Sequence, residues 1–71
     1  MKATIEVFVN GRKIPIYRGM QVKHALIAYD QDVYKAATEG RARVEDENGF
    51  IVGLDGGLTE GTRIYVRTGL D

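Results

Sequence analysis

The run Thr4-Ile5-Glu6-Val7-Phe8-Val9-Asn10-Gly11-Arg12-Lys13-Ile14-Pro15-Ile16-Tyr17 alternates in side-chain character on both sides of Asn10-Gly11. A period of two puts Ala3, Ile5, Val7 and Val9 on one face of a strand and Thr4, Glu6 and Phe8 on the other. Asn-Gly tolerates the positive φ angles that a type I′ turn needs at both central residues, so the pair predicts a tight antiparallel hairpin. Lys13 to Tyr17 alternates again and supplies the returning strand. Pro15 has no amide hydrogen, which assigns that strand to a sheet edge or turns the residue 15 nitrogen outward.

Beyond the hairpin the period changes. Val22, Ala25, Leu26 and Tyr29 recur at i, i+3, i+4 and i+7, which predicts a helix over 21–30 with Ile27 and Ala28 widening its apolar face. Gln21, Lys23 and His24 then lie away from the core. Over Asp30 to Gly40, Val33, Ala36 and Ala37 supply at most a further helical turn docked on the core. Arg41 to Glu45 reads as a short strand with Ala42 and Val44 on one side, Asp46-Glu47-Asn48-Gly49 as a turn, and Phe50-Ile51-Val52 as the strand completing a second hairpin. Gly53 to Thr62 is a glycine-rich connection anchored by Leu54 and Leu58, and Arg63 to Arg67 is a last strand with Ile64 and Val66 inward.

Length and charge bound the function. Seventy-one residues build one core and so one domain, 1–71. Ten basic residues balance ten acidic ones, so no net field draws the chain to nucleic acid or to an anionic membrane. The absence of cysteine removes disulfides, thiolate metal sites and thiol nucleophiles together. No signal-peptide pattern and no apolar run of spanning length occur, so a soluble, unprocessed, cytoplasmic protein is expected.

One helix on a mixed sheet of four to five strands is an α+β, two-layer solution. This order, with Val9-Asn10-Gly11 in the first turn, Gly19-Met20-Gln21-Val22 entering the helix and Leu58-Thr59-Glu60-Gly61-Thr62-Arg63-Ile64 entering the last strand, resembles the β-grasp (ubiquitin-like) superfamily over nearly the whole chain. Three branches are similar. Sulfur carriers end in Gly-Gly, whereas this sequence ends Arg67-Thr68-Gly69-Leu70-Asp71, so a carrier role implies an atypical C-terminus; the internal Gly56-Gly57 reads as a turn. Plant-type two-iron ferredoxins resemble it through Ala36-Ala37-Thr38-Glu39-Gly40-Arg41-Ala42-Arg43-Val44, a shortened cluster loop with alanine in place of cysteine, which implies a scaffold lacking its cluster. TGS-type domains imply a regulatory recognition module.

The chemistry-bearing residues do not assemble into a reactive set. His24 has no convergent partner for catalysis or metal binding. Glu45-Asp46-Glu47 with Asp55 and Glu60 offers oxygen ligands without the spacing of a calcium loop, and Gly53-Leu54-Asp55-Gly56-Gly57 lacks the Lys-Ser/Thr and following helix of a phosphate cradle. Arg41, Arg43, Arg63 and Arg67 with Tyr17 and Tyr65 form a cationic, aromatic set suited to single strands, against which the balanced charge argues. Alternation instead turns Phe8 and Tyr65 to the face opposite the core, near each other and flanked by Arg63 and Arg67. That patch has the Tyr and Arg character of protein interfaces.

The expectation is a noncatalytic protein-interaction or regulatory module without cofactor or metal, whose partner is another protein or, in a homodimer, a second copy. Protein purified without a tag is expected to carry no stoichiometric iron, zinc or flavin. An optical spectrum and elemental analysis check this, and a bound metal at one equivalent would refute it.

Overall fold

Asn10 and Gly11 both take positive φ, 53° and 83°, and join β1 (Thr4–Val9) to β2 (Arg12–Tyr17) in an antiparallel hairpin. The computed structural model describes residues 3–68; Met1, Lys2 and the Gly69-Leu70-Asp71 tail considered above lie outside them. Along the hairpin Ile5, Val7, Val9, Ile14 and Ile16 are buried, as alternation requires, while Ala3 is exposed just before β1. The Arg18 N–H donates to the Ala3 carbonyl at 2.8 Å. Bonded and non-bonded pairs alternate along an antiparallel ladder, so the Glu6–Pro15 pair falls at a non-bonded position and the proline nitrogen faces away from β1.

The remaining strands are β3 (Ala42–Asp46) and β4 (Arg63–Thr68), and the sheet order is β2-β1-β4-β3. β4 lies parallel to β1 and antiparallel to β3, making a mixed four-stranded sheet with β2 and β3 at its edges. The parallel pairing engages the second half of β1: Gly61 donates to Glu6, Phe8 to Thr62 and Asn10 to Ile64, at 2.7, 2.8 and 3.0 Å. Where β1 ends, the Asn10 side chain continues the ladder by accepting from the Val66 N–H at 2.8 Å. Its amide also donates to the Tyr29 hydroxyl at 3.3 Å, so one turn residue holds β4 and the end of the first helix.

That helix, α1 (Val22–Tyr29), buries Val22, Ala25 and Leu26 against the sheet. Ile27 and Ala28 do not widen its core face. Both are exposed, because the sheet already ends beneath them at the β2 edge. Residues 30–40 form a second helix, α2 (Gln31–Thr38), where the sequence suggested one extra turn on a single helix. Asp30 separates the two: its extended backbone ends α1, and its carboxylate caps α2 by accepting from the Asp32 N–H at 2.8 Å. The other end of α2 closes as a Schellman motif, with Gly40 at φ 80° donating to Ala37 and Arg41 donating to Ala36 at 2.8 Å. Ala36 is buried, and Val33 and Ala37 pack against the core.

The second hairpin is shorter than expected. Phe50-Ile51-Val52 forms no strand but one bridge, Ile51 to Glu45, flanked by bonds from Asp46 to Phe50 and from Val52 to Val44. The Asp46 carboxylate instead closes the turn on itself by accepting from the Asn48 and Phe50 amides. Ile64, Val44 and Leu58 complete the core, with Leu54 and Val66 partly buried beside them. No helix among the described residues is long and apolar enough to cross a membrane.

Asn10 thus contributes both a left-handed backbone and two side-chain bonds. Asn10→Gly keeps the first and loses the second; Asn10→Ala loses both. In urea unfolding, Asn10→Ala is expected to fall below Asn10→Gly by about 1 kcal/mol, the cost of a Cβ in the left-handed region. Equal stabilities would refute the turn's demand for positive φ.

Candidate functional site

Both helices pack on one face of the sheet, and the other face is open. Residues alternating with the buried ones project there: Glu6 and Phe8 from β1, Lys13, Pro15 and Tyr17 from β2, Arg63, Tyr65 and Arg67 from β4, Arg43 and Glu45 from β3. Phe8 and Tyr65 therefore share this face, yet they are not direct partners. The parallel register sets Phe8 beside Arg63, with Tyr65 two positions further on, past the end of β1. The Arg63 guanidinium carbon lies over the Phe8 ring, 4.3 Å from its centroid. Such a contact holds a long cationic side chain against a half-buried ring and contributes about 0.5–1 kcal/mol at an exposed site.

Arg67 is occupied differently. Its Nε donates to Glu45 Oε1 at 2.9 Å, and Arg43 approaches Glu45 Oε2 at 3.7 Å. Arg43 and Arg67 are cross-strand partners, so like charges stand opposite each other, an arrangement that destabilises a sheet unless something intervenes. Glu45 intervenes: its side chain is only 13% exposed and sits between the two guanidiniums. The sequence grouped Glu45 with Asp46 and Glu47 as an acidic run. The strand separates them, sending Glu45 to the open face, Asp46 into its turn and Glu47 to solvent.

The cationic, aromatic set is likewise only partly assembled. Arg41 lies outside the sheet and pairs with Glu39 through its Nε at 2.9 Å. Tyr17 stands opposite Thr4, at the far end of the face from Tyr65. The stretch compared with a cluster loop is not a loop: Ala36 to Thr38 belong to α2 and Ala42 to Val44 to β3.

His24, expected on the solvent side of the helix, is half-buried and acts locally. Its Nδ1 accepts from the Gln21 N–H at 2.9 Å, stabilising the first turn of α1. The neighbouring glycine-rich segment completes that turn, since the Val22 and Lys23 amides donate to the Gly56 and Leu54 carbonyls at 2.9 and 3.0 Å. Lys23 Nζ also meets Asp55 Oδ1 at 3.2 Å. The loop therefore presents carbonyls to the helix N-terminus and takes up the amides that an anion would need. Among the described residues, no group of three or more His, Cys, Asp or Glu side chains converges to hold a metal ion.

One further concavity was not legible in the sequence. A groove of about 470 Å³ runs between the β2 edge and α1, lined by Pro15, Ile16, Tyr17, Met20, Ile27 and Ala28 with His24 and Thr4. Tyr17, 61% exposed, forms one wall. Its signal in the sequence was the apolar pair Ile27-Ala28 in excess of what the core face of α1 needed. No protein-family model matches this chain, and no curated relative matches it.

The two adjacent loop glycines differ in what they do. A Cβ on Gly56 would lie 3.1 Å from the Gly53 carbonyl oxygen and 3.6 Å from Val22 Cγ2, whereas one on Gly57 meets nothing within 4 Å. Gly56→Ala is expected to lower stability by about 1 kcal/mol, and Gly57→Ala to leave it unchanged or raise it by about 0.5 kcal/mol through the unfolded state. Chemical denaturation of the two variants side by side checks the order.

Proposed function

We propose that this chain is a noncatalytic protein-interaction module of the β-grasp type, with the open sheet face around Phe8, Arg63, Tyr65 and Arg67 as its binding surface. The β-grasp assignment is supported by the β2-β1-β4-β3 order, in which an N-terminal hairpin and the last strand form a central parallel pair under helices on one side. The observation that carries the function is the asymmetry of the sheet: one face is sealed by α1 and α2, and the other presents aromatic rings and organised arginines to solvent. Half-exposed Phe and Tyr beside Arg combine apolar area with low ordering cost, which is the composition of binding hot spots.

A noncatalytic role agrees with where the polar groups sit. Among the described residues no polar or charged side chain is buried. The single histidine is engaged in capping, its Nδ1 accepting from the Gln21 N–H. The groove beside β2 is the competing surface, favoured by its exposed Tyr17 and Ile27.

The two surfaces are separated by paired variants. Immobilised protein is offered to an extract of its own cells, and retained proteins are identified by mass spectrometry. Size-exclusion chromatography with light scattering reads self-association. Tyr65→Ser with Arg63→Ser is expected to remain folded by circular dichroism and to lose the specific partner or dissolve the homodimer. Ile27→Ser with Ala28→Glu, both groove residues off the open face, is expected to keep either. The reverse pattern would transfer the function to the groove.

A further inference from the structure

Across the middle of the open face the side chains run Lys13, Phe8, Arg63, because Lys13 and Arg63 are the cross-strand neighbours of Phe8 on its two sides. An apolar ring is thus flanked by two cations drawn from different strands. Arg63 is the least neutralised charge on the face, and Lys13 is held only by a long ion pair. Among the described residues Arg63 makes no ion pair, and its guanidinium lies over the Phe8 ring. Lys13 reaches one carboxylate, Glu6, at 3.9 Å, with both side chains about half exposed. Arg67, by contrast, is bonded to Glu45. Among the strand residues projecting from this face, the four cations Lys13, Arg43, Arg63 and Arg67 stand against the two carboxylates of Glu6 and Glu45, with the Glu60 carboxylate at the margin of β1, in a chain whose net charge is zero.

We infer that the occupant of this face is an acidic protein segment, in which carboxylates meet Arg63 and Lys13 while an apolar neighbour covers Phe8 and Tyr65. The inference rests on the open face being the binding surface and adds the chemistry of the partner. Arg63 has five N–H donors in a planar fork suited to a carboxylate, and its stacking on Phe8 fixes it before the partner arrives, which reduces the ordering cost of binding. Single-stranded nucleic acid suits the surface less well. Glu6 and Glu45 stand among the cations and interrupt any path for successive phosphates, and one face of the Phe8 ring is already taken by the guanidinium.

The test pans random linear peptides displayed on phage against the immobilised full chain. Synthetic copies of the enriched peptides are then titrated by fluorescence anisotropy against the wild type, Arg63→Glu, Arg63→Gln, Lys13→Glu and Tyr65→Ser, each checked for an intact amide NMR spectrum. A labelled oligo(dT) is titrated in parallel. Enriched peptides are expected to be rich in Asp and Glu and to weaken about tenfold or more with Arg63→Glu, less with Arg63→Gln, and progressively with added salt. Binders without acidic residues that are lost in Tyr65→Ser would overturn the acidic assignment while keeping the open face as the binding surface. Failure to enrich any peptide, or peptides indifferent to all four variants, would overturn both. Oligo(dT) binding abolished by Arg63→Glu would give the face to nucleic acid, overturning the acidic assignment and the protein-interaction reading while keeping the open face as the binding surface.

Discussion

The parallel pairing of β1 with β4 is the constraint on which the rest of the molecule depends. It brings together strands separated by nearly the whole described sequence, so every intervening element must be accommodated between its two ends. A parallel pair needs a crossover rather than a tight turn. Here the crossover consists of β2, two short helices, β3 and the glycine-rich loop. The pairing also places Ile64 beside Val9 in the centre of the core, where both are almost wholly buried. Without it, the β1–β2 hairpin and the β3–β4 pair would be separate two-stranded units, which are marginal in water.

The elements readable from sequence were those set by local chemistry. Asn10-Gly11 has few alternatives to a two-residue turn, and alternation from Thr4 to Tyr17 specifies the flanking strands and their buried faces. Pro15 announced its edge position for the same reason. The α2 helix was harder, since eight residues with Val33, Ala36 and Ala37 as their apolar content give a weak period. Its stronger signals were its ends: Asp30 two residues before Asp32, and Gly40 just past the last turn. The expected strand at Phe50-Ile51-Val52 shows the opposite error, because β-branched and aromatic composition alone does not create a ladder when a turn ties up the adjacent carboxylate and backbone.

The open face was legible in its membership but not in its register. Alternation puts Phe8, Arg63, Tyr65 and Arg67 on one side of their strands whatever the pairing. Which residue stands beside Phe8 depends on how far β4 slides along β1. That offset is fixed by the loop Gly53 to Thr62 and by the Asn10 side chain at Val66, neither of which carries a periodic signal. Glu45 was read correctly as a strand residue facing away from Ala42 and Val44, but its place between Arg43 and Arg67 depends on the pairing with β4, which carries no local signal. His24 was read through its position on the helix wheel, which does not account for capping at a first turn.

Both margins of this sheet are interrupted against further strands, by unlike means. Along β2 the proline removes the central outward donor, and Lys13 places a charge beside it, so an incoming strand meets an interrupted row of hydrogen-bonding groups. Along β3 the single Ile51 bridge and its flanking bonds occupy the backbone from Val44 to Asp46. Lateral growth of the sheet, the usual route by which small strand-rich proteins aggregate, is therefore obstructed at each side.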